Sequence, residues 1–158
     1  MGKEIERKFL IDPDKWQRVS KPKGQLYRQG YLSTDPNRTI RVRLTDTNGY
    51  ITIKGISVNA TRSEYEYEIP ASEAKELLDS LSVSELVKTR YKIDHGKKVW
   101  EVDEFSGDNT GLIVAEIELT SEDEYFDTPD WIGKEVTGEE KYYNSNLTIN
   151  PYKNWESE

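Results

Sequence analysis

Apolar and charged residues alternate along much of this chain, which is the pattern of half-buried β-strands. In the segment EIERKFLI, Glu4, Glu6 and Lys8 would share one face of an extended chain, opposite Ile5 and Phe9. Turn sequences such as TDPNR, DTNG, DHGKK and SGDNTG separate the alternating segments. The pattern predicts eight strands, at Lys3–Ile11, Gln25–Thr34, Arg38–Thr45, Tyr50–Gly55, Arg62–Ile69, Glu85–Asp94, Lys97–Phe105 and Leu112–Leu119.

Helical patterns interrupt these strands at three places. The segment DPDKWQRV begins with Asp12 as a predicted N-cap and Pro13 at the first helical position. The segment PASEAKELLDSL carries leucines at helical spacing. Near the C-terminus, TGEEKYYNSNL predicts a short helix capped by Thr137, with Glu140 at the capping-box position.

Seven of the predicted strands combine one ionic face with one apolar face. Neighbouring positions on the ionic faces carry like charges, as in Glu4/Glu6, Glu64/Glu66, Glu116/Glu118, Arg41/Arg43 and Lys88/Arg90. A half-exposed sheet would explain any single strand, but adjacent like charges repel unless opposite charges lie between them. Acid pairs suit divalent cations, and base pairs suit phosphate. A barrel of about eight strands with its ionic faces inward satisfies both requirements.

The charge and composition of the chain limit the classes of partner and the domain organisation that we expect. The 158 residues carry a formal charge of −8, which argues against a nucleic-acid partner. No run approaches 18 apolar residues and the N-terminus lacks an apolar leader, so we expect no membrane association. The absence of cysteine fits a cytoplasmic protein. Without repeats or a long linker, one domain over residues 1–158 is the simplest organisation.

A set of ordered motifs points to one family. EIERKF fits an ExExK signature, and RVR, TIKG, RSEYEYEIP, KTRY, WEVDEF, AEIEL and EVTGEEKYYNSNL follow it in order. With these motifs the chain resembles the CYTH superfamily, the triphosphate tunnel metalloenzymes. The resemblance implies an α+β fold, an eight-stranded antiparallel closed β-barrel with a few flanking helices. It also implies reaction at a triphosphate with Mg²⁺ or Mn²⁺ as cofactor, and a homodimer is compatible with it.

The resemblance also implies roles for matching positions. Metal ligands would be Glu4, Glu6, Glu116 and Glu118. Phosphate contacts would be Lys8, Arg41, Arg43, Lys54, Lys88 and Arg90, with Arg62 and Lys141 as further bases of the tunnel and Lys134 as an alternative to Lys141. Glu64, Glu66 and Asp103 would be acidic lining, from which one carboxylate orients the attacking water. Glu68 and Glu101 could instead form salt bridges at the rims.

The predicted activity is hydrolysis of inorganic tripolyphosphate to pyrophosphate and phosphate. The short chain and its EIERKFL, QGYLS and EVTGEEKYYNSNL segments resemble bacterial family members with that activity, which are often labelled adenylate cyclases. The alternatives are a class IV-type adenylate cyclase, a nucleoside or thiamine triphosphatase, and a non-catalytic module that binds polyphosphate or nucleotide. An acidic interaction domain is a further alternative, and it would make the charges interchangeable.

The sequence also predicts where several residues outside the ionic faces lie. Tyr27 and Tyr31 could face the barrel interior or the outer core, and the core is favoured. His95, the sole histidine, is placed in a turn, which disfavours histidine-based metal chemistry. Trp131 is predicted to be a packing anchor, and the KYYNSNL segment to cap one mouth of the barrel.

Overall fold

Nine strands and three α-helices lie within residues 2–155, the part of the chain that this computed structural model describes. Met1 and residues 156–158, which the single-domain prediction includes, lie outside that part. The strands are β1 Lys3–Ile11, β2 Gln25–Ser33, β3 Arg38–Leu44, β4 Gly49–Gly55, β5 Thr61–Ile69, β6 Ser84–His95, β7 Lys98–Phe105, β8 Ile113–Glu118 and β9 Ile132–Glu135. The helices are α1 Pro13–Gln17, α2 Ala71–Leu81 and α3 Asn144–Leu147. All eight predicted strands are present, with ends within one residue of the prediction.

Eight of the strands close into an antiparallel barrel. Their order around it is β1, β5, β4, β3, β2, β6, β7 and β8, and β8 pairs with β1 again. The strand β1 makes the closure because its start pairs with β5, where Glu4 lies opposite Arg62, and its later part pairs with β8. The predicted closed barrel is therefore confirmed.

The ninth strand was not predicted. The four residues of β9 continue the sheet beside the last part of β1, with Ile132 opposite Ile11. Gly133 permits this pairing, because a Cβ atom there would lie 3.2 Å from the carbonyl oxygen of Leu10. A four-residue segment containing glycine is too short to give a clear alternating pattern.

The outer faces of β1, β7 and β8 pack under a layer of aromatic residues. The Trp131 ring centroid lies 5.1 Å from that of Trp16 and 6.1 Å from that of Trp100. All three rings are buried, which confirms Trp131 as a packing anchor. Asp12 caps α1 as predicted, since its carboxylate accepts hydrogen bonds from the backbone of Asp14 and Lys15, and this places Trp16 against the barrel.

The helix α2 covers a second part of the outer surface. Its Ala74 and Leu78 pack against Val42 of β3. The helix approaches β4 closely at Gly49, where a Cβ atom would lie 2.6 Å from that of Ala74. Leu81, at the end of the same helix, remains 61% exposed.

One end of the barrel interior is apolar. Leu10, Leu86, Phe105 and Val114 lie on the same faces of their strands as the ionic residues, but they form a cluster with Leu147 of α3. A segment at the C-terminal side of the chain therefore folds back and closes this end of the tunnel. The prediction that KYYNSNL caps one mouth of the barrel is confirmed.

The predicted helix start in this segment is wrong. The segment forms a 3-10 turn at Glu140–Tyr142 followed by α3, and neither begins with a side-chain cap. The Thr137 hydroxyl is used elsewhere: it accepts a hydrogen bond from the Lys8 amide (2.9 Å) and donates one to Glu135 (2.7 Å). None of the helices within residues 2–155 is both long and apolar enough to span a bilayer.

Candidate active site

The ionic faces of the strands enclose a cavity of about 180 Å³ inside the barrel. Among the described residues, seven bases and seven acids line it: Lys8, Arg41, Arg43, Lys54, Arg62, Lys88 and Arg90, with Glu4, Glu6, Glu64, Glu66, Glu101, Glu116 and Glu118. The lining is thus balanced in formal charge. Every residue predicted to bind metal or phosphate takes part in it except Lys141 and its alternative Lys134. Of the three predicted lining acids Glu64, Glu66 and Asp103, only Asp103 does not line it.

The bases of β3 and β6 stand close together on one side of the cavity. Arg43 and Arg90 both lie over the ring of Tyr27, at 4.7 and 5.2 Å from its centroid. Burial, Arg41 and Arg90 lower the pKa of Arg43 to about 10, because positive charge is concentrated here. The Nε atom of Arg41 is buried and donates to no atom within residues 2–155. This side therefore holds excess positive charge and an unpaired donor, as an anion site requires.

Asp103 lies behind these bases rather than in the cavity. It forms a two-pronged ion pair with Arg90, at 2.8 and 2.9 Å, and its Oδ2 atom is 2.8 Å from the Lys88 ammonium. Although burial acts in the opposite direction, Arg90 and Lys88 lower the pKa of Asp103 to about 2. Burial lowers the pKa of Lys88 to about 7, although Asp103 opposes the shift.

Glu4 joins the basic and acidic sides of the cavity. One of its carboxylate oxygens is 3.2 Å from both the Lys54 ammonium and the Arg62 guanidinium. Burial would raise the pKa of Glu4, but Lys54 and Arg62 lower it to about 2. Glu4 is therefore ionised at neutral pH and is already paired with two cations.

Glu6 and Glu116 form an acid pair on neighbouring strands β1 and β8. Burial, Glu116 and Glu4 raise the pKa of Glu6 well above its usual range. Burial also opposes ionisation of Glu116, but Lys8 and a hydrogen bond from Glu6 hold its pKa well below the usual range. Of the two carboxyl groups, Glu6 is therefore the more readily protonated and Glu116 the more readily ionised.

A divalent cation fits this pair. Within residues 2–155 no group of three or more Asp, Glu, His or Cys side chains is arranged to hold a metal ion by protein ligands alone. Mg²⁺ usually keeps several waters and binds through one or two carboxylates together with phosphate oxygens. Glu6 and Glu116 supply such carboxylates in the cavity that the bases also line, whereas Glu118 is less buried and has its pKa raised by burial, Glu4 and Glu101.

The two remaining predicted acids line the cavity on β5. Glu64 lies 3.5 Å from Lys54, and burial and Glu4 raise its pKa. Glu66 accepts hydrogen bonds from Thr52 (2.8 Å) and Arg41 (3.4 Å), and its side chain is 41% exposed. Glu64 is thus the less exposed of the two and the closer to Glu4.

The sequence prediction placed the KYYNSNL segment at a mouth of the barrel but did not assign its residues Tyr143, Asn144 and Ser145 to the cavity lining. Tyr143, Asn144 and Ser145 line it from the C-terminal segment, and Asn144 accepts hydrogen bonds from both Lys88 (2.8 Å) and Gln29 (3.1 Å). Their segment has no strand periodicity that would assign them to an inner face. The only sequence signal was the expectation that KYYNSNL lies at a mouth of the barrel.

Three further residues can be compared with their predicted positions relative to the cavity. Tyr31 lines it, so the favoured placement of Tyr31 in the outer core is wrong. Glu101 also lines the cavity, where its carboxylate lies 3.3 Å from Arg90. The Lys141 ammonium lies over the rings of Trp155 and Tyr142, at 4.6 and 5.3 Å, and is not brought together with the tunnel bases.

Comparison with known proteins agrees with this geometry. A family model of the CYTH domain matches residues 2–148. The chain is 51% identical over 156 residues to an inorganic triphosphatase of Acetivibrio thermocellus, covering 98% of this chain and 99% of the relative. It is 35% identical to an inorganic triphosphatase of Nitrosomonas europaea, covering 92% and 97%. A solved structure of an inorganic triphosphatase has a TM-score of 0.62 at 31% identity, again covering 92% and 97%.

Proposed function

The chain belongs to the CYTH domain family, and we propose that it hydrolyses inorganic tripolyphosphate to pyrophosphate and phosphate in its barrel cavity. The relatives that match it over nearly their whole length are inorganic triphosphatases. Divalent-metal dependence is general to triphosphatases of this family, and we propose Mg²⁺ or Mn²⁺ as the ion. The single observation that carries the proposal is an enclosed cavity in which crowded bases face an acid pair.

The bases bind and orient the phosphate chain. Arg41 has an unpaired Nε donor, and Arg43 has a pKa lowered by neighbouring cations, so both gain favourable interactions when an anion enters. Lys8 stands beside Glu116 across β1 and β8, where it can contact a phosphate that is shared with the acid pair. Positioning and charge neutralisation are the main requirements of phosphoryl transfer.

The acid pair would hold the divalent ion. Glu6 and Glu116 would be its ligands, with Glu4 and Glu118 nearby. When bound, the ion supplies positive charge to the phosphate oxygens and to the attacking water. Both carboxyl groups would be ionised as ligands, because a carboxylate coordinates a metal in its ionised form.

Glu64 is our choice for the carboxylate that orients the attacking water. Its raised pKa brings it closer to the operating pH of a general base, and it lies in the cavity wall. Glu66 is less suited because Thr52 and Arg41 already occupy one of its oxygens.

A second candidate is reaction at a triphosphate that carries an organic group, by a nucleoside or thiamine triphosphatase or by a cyclase. A pocket of about 340 Å³ adjoins the cavity and shares Thr39, Arg62, Tyr143 and Ser145 with it. Ile56 and Ile149 give this pocket an apolar part that inorganic tripolyphosphate does not need. The pocket is the observation that favours this candidate.

The experiment compares tripolyphosphate, ATP and thiamine triphosphate with Mg²⁺ or Mn²⁺. We expect fast phosphate release from tripolyphosphate and little from ATP, and loss of that release in Lys8→Ala. The exposed Lys97→Ala, in the hairpin turn between β6 and β7, is the matched control and should retain activity. Cyclic AMP from ATP would instead indicate a cyclase. Tight tripolyphosphate binding without release of phosphate from any substrate would indicate a binding module.

A further inference from the structure

A buried ion network stands behind the basic side of the cavity. Asp103 of β7 is 2% exposed and joins two cations of β6: both its oxygens bond to Arg90, and one also bonds to Lys88. Lys88, itself 1% exposed, is also held by Asn144. Both cations line the cavity, whereas Asp103 does not.

We propose that Asp103 is a positioning residue, which fixes Lys88 and Arg90 in the arrangement that receives the phosphate chain without touching that chain. This inference rests on the proposed function of the cavity as a triphosphate site. It assigns Asp103 a role different from orientation of the attacking water, for which the family resemblance made Asp103 one of three candidates.

The contacts of Asp103 disfavour the water-orienting role, because three bonds to two cations occupy most of its acceptor sites. Each oxygen already accepts a bond from Arg90, and Oδ2 accepts from Lys88 as well. A carboxylate whose pKa is lowered to about 2 by these cations is a weak general base at neutral pH. Arg90 and Lys88 line the cavity, whereas Asp103 does not, so a water in the cavity meets the two cations and not the Asp103 carboxylate.

The cations in turn need a partner behind them. Lys88, Arg90 and Arg43 repel one another, and burial makes each of them costly to keep charged. A buried two-pronged pair fixes the plane of the Arg90 guanidinium, and the third bond fixes the direction of the Lys88 ammonium. Without Asp103, each cation would gain freedom to turn away from the ligand.

The direction in which tripolyphosphate affinity changes in Asp103→Asn distinguishes a positioning role from a role in charge balance alone. Asp103→Asn removes a negative charge from behind an anion site, so charge alone would make tripolyphosphate bind more tightly. Positioning instead requires that tripolyphosphate bind at least about tenfold more weakly, a change of about 1.4 kcal/mol. We would measure binding calorimetrically in EDTA, and KM and kcat with Mg²⁺.

A second variant keeps the negative charge behind the two cations but changes its position. Asp103→Glu retains the carboxylate but extends it by one methylene, which displaces both cations. We expect weaker tripolyphosphate binding here too, and this variant decides the question if Asp103→Asn does not fold. Glu104→Gln is the matched control: it lies on the same strand but faces outward, where its carboxylate accepts from the Trp16 indole, and it should bind within about twofold of the wild type.

Three outcomes would overturn the proposal. They are equal or tighter binding by Asp103→Asn, wild-type binding by Asp103→Glu, and a fall in kcat with unchanged KM and unchanged affinity, which would mark a direct catalytic role. A wild-type chain that neither binds nor cleaves tripolyphosphate would instead refute the proposed function. Weakened binding in both Asp103 variants, with Glu104→Gln unaffected, supports the positioning role.

Discussion

Replacing Glu6 by glutamine should stabilise the metal-free protein while removing its activity. Glu6 is surrounded by Glu116 and Glu4, and these neighbours, with burial, raise its pKa well above the usual range. The glutamine amide has nearly the same shape, carries no charge and can donate a hydrogen bond to the Glu116 carboxylate. The variant therefore keeps the contact and removes the repulsion, at the cost of one proposed metal ligand.

Coulomb's law sets the scale of the gain. Two like charges about 4 Å apart repel by about 4 kcal/mol at an effective dielectric constant of about 20. The raised pKa of Glu6 favours its protonated form, which avoids part of this repulsion. We therefore expect the free energy of unfolding to rise by about 1–2 kcal/mol, the size typical of single stabilising substitutions. In a domain of about 150–250 residues this corresponds to a rise in Tm of about 2–8 °C.

The gain should also depend on pH. A carboxyl group whose pKa is raised on folding contributes stability fully below its unfolded pKa, and this contribution is lost as pH rises through the folded pKa. The wild type therefore loses stability through Glu6 as pH rises above 4.5, the ordinary pKa of a glutamate, whereas the glutamine of the variant does not titrate. The difference in Tm between variant and wild type should be small at about pH 4.5 and larger at about pH 8.

The assay is thermal unfolding in EDTA at both pH values, followed by phosphate release with Mg²⁺. Glu68→Gln is the matched control, because Glu68 lies on the same kind of strand face but is exposed and bonded to Asn48. Its Tm should change little, by an amount equivalent to about 0.5 kcal/mol or less. A Glu6→Gln variant with lowered Tm at the higher pH, or with normal turnover, would refute this account of the acid pair.

Three other predictions test separate parts of the structure. Arg41→Ala should abolish hydrolysis of tripolyphosphate while circular dichroism shows an intact fold, and unchanged turnover would contradict the tunnel site. Leu147→Ala should destabilise the chain by about 2–5 kcal/mol in urea unfolding, because Leu147 is fully buried in the apolar end, whereas Leu81→Ala, at an exposed leucine, should have little effect. Since the pKa of Lys88 is about 7, Lys88 should take up a proton when tripolyphosphate binds at about pH 8. Calorimetry in two buffers of different ionisation enthalpy should show less proton uptake in Lys88→Met than in the wild type. Equal uptake in both would contradict the lowered pKa of Lys88.

The strands and most of the site could be predicted because strand geometry repeats every two residues. Glu4, Glu6 and Lys8 are read as one face directly from the sequence, and the cavity contains all three. The two-residue repeat shows which face of a strand a residue lies on, but it does not show how far along the barrel axis the residue lies. Leu10 and Val114 occupy inner-face positions too, yet they lie in the apolar end, and only the pattern of charge along each strand indicates where the cavity stops.

Other parts of the site depend on contacts between distant segments, which periodicity does not reveal. On β2 the inner face carries Tyr27, Gln29 and Tyr31, so its pattern resembles that of a core strand although Tyr31 lines the cavity. Asn144 reaches Lys88 only because the C-terminal segment folds back into the barrel. Thr137 matches a helix-cap signature, but its hydroxyl is bonded to Glu135 and to the amide of Lys8.

The balance of charge in the cavity explains why so many acids are present in the proposed anion site. The formal charge of the chain is −8, but the seven bases and seven acids of the lining cancel, so the excess negative charge lies outside the cavity. If the lining were basic alone, the empty barrel would suffer unrelieved repulsion among buried cations. The acids remove that repulsion, but a triphosphate then adds negative charge to a neutral cavity. In the proposed function, cations would enter with it, and they would gain most beside Glu6 and Glu116, where two acids lie close together. Metal dependence would thus follow from the same acids that allow the barrel to fold around its bases.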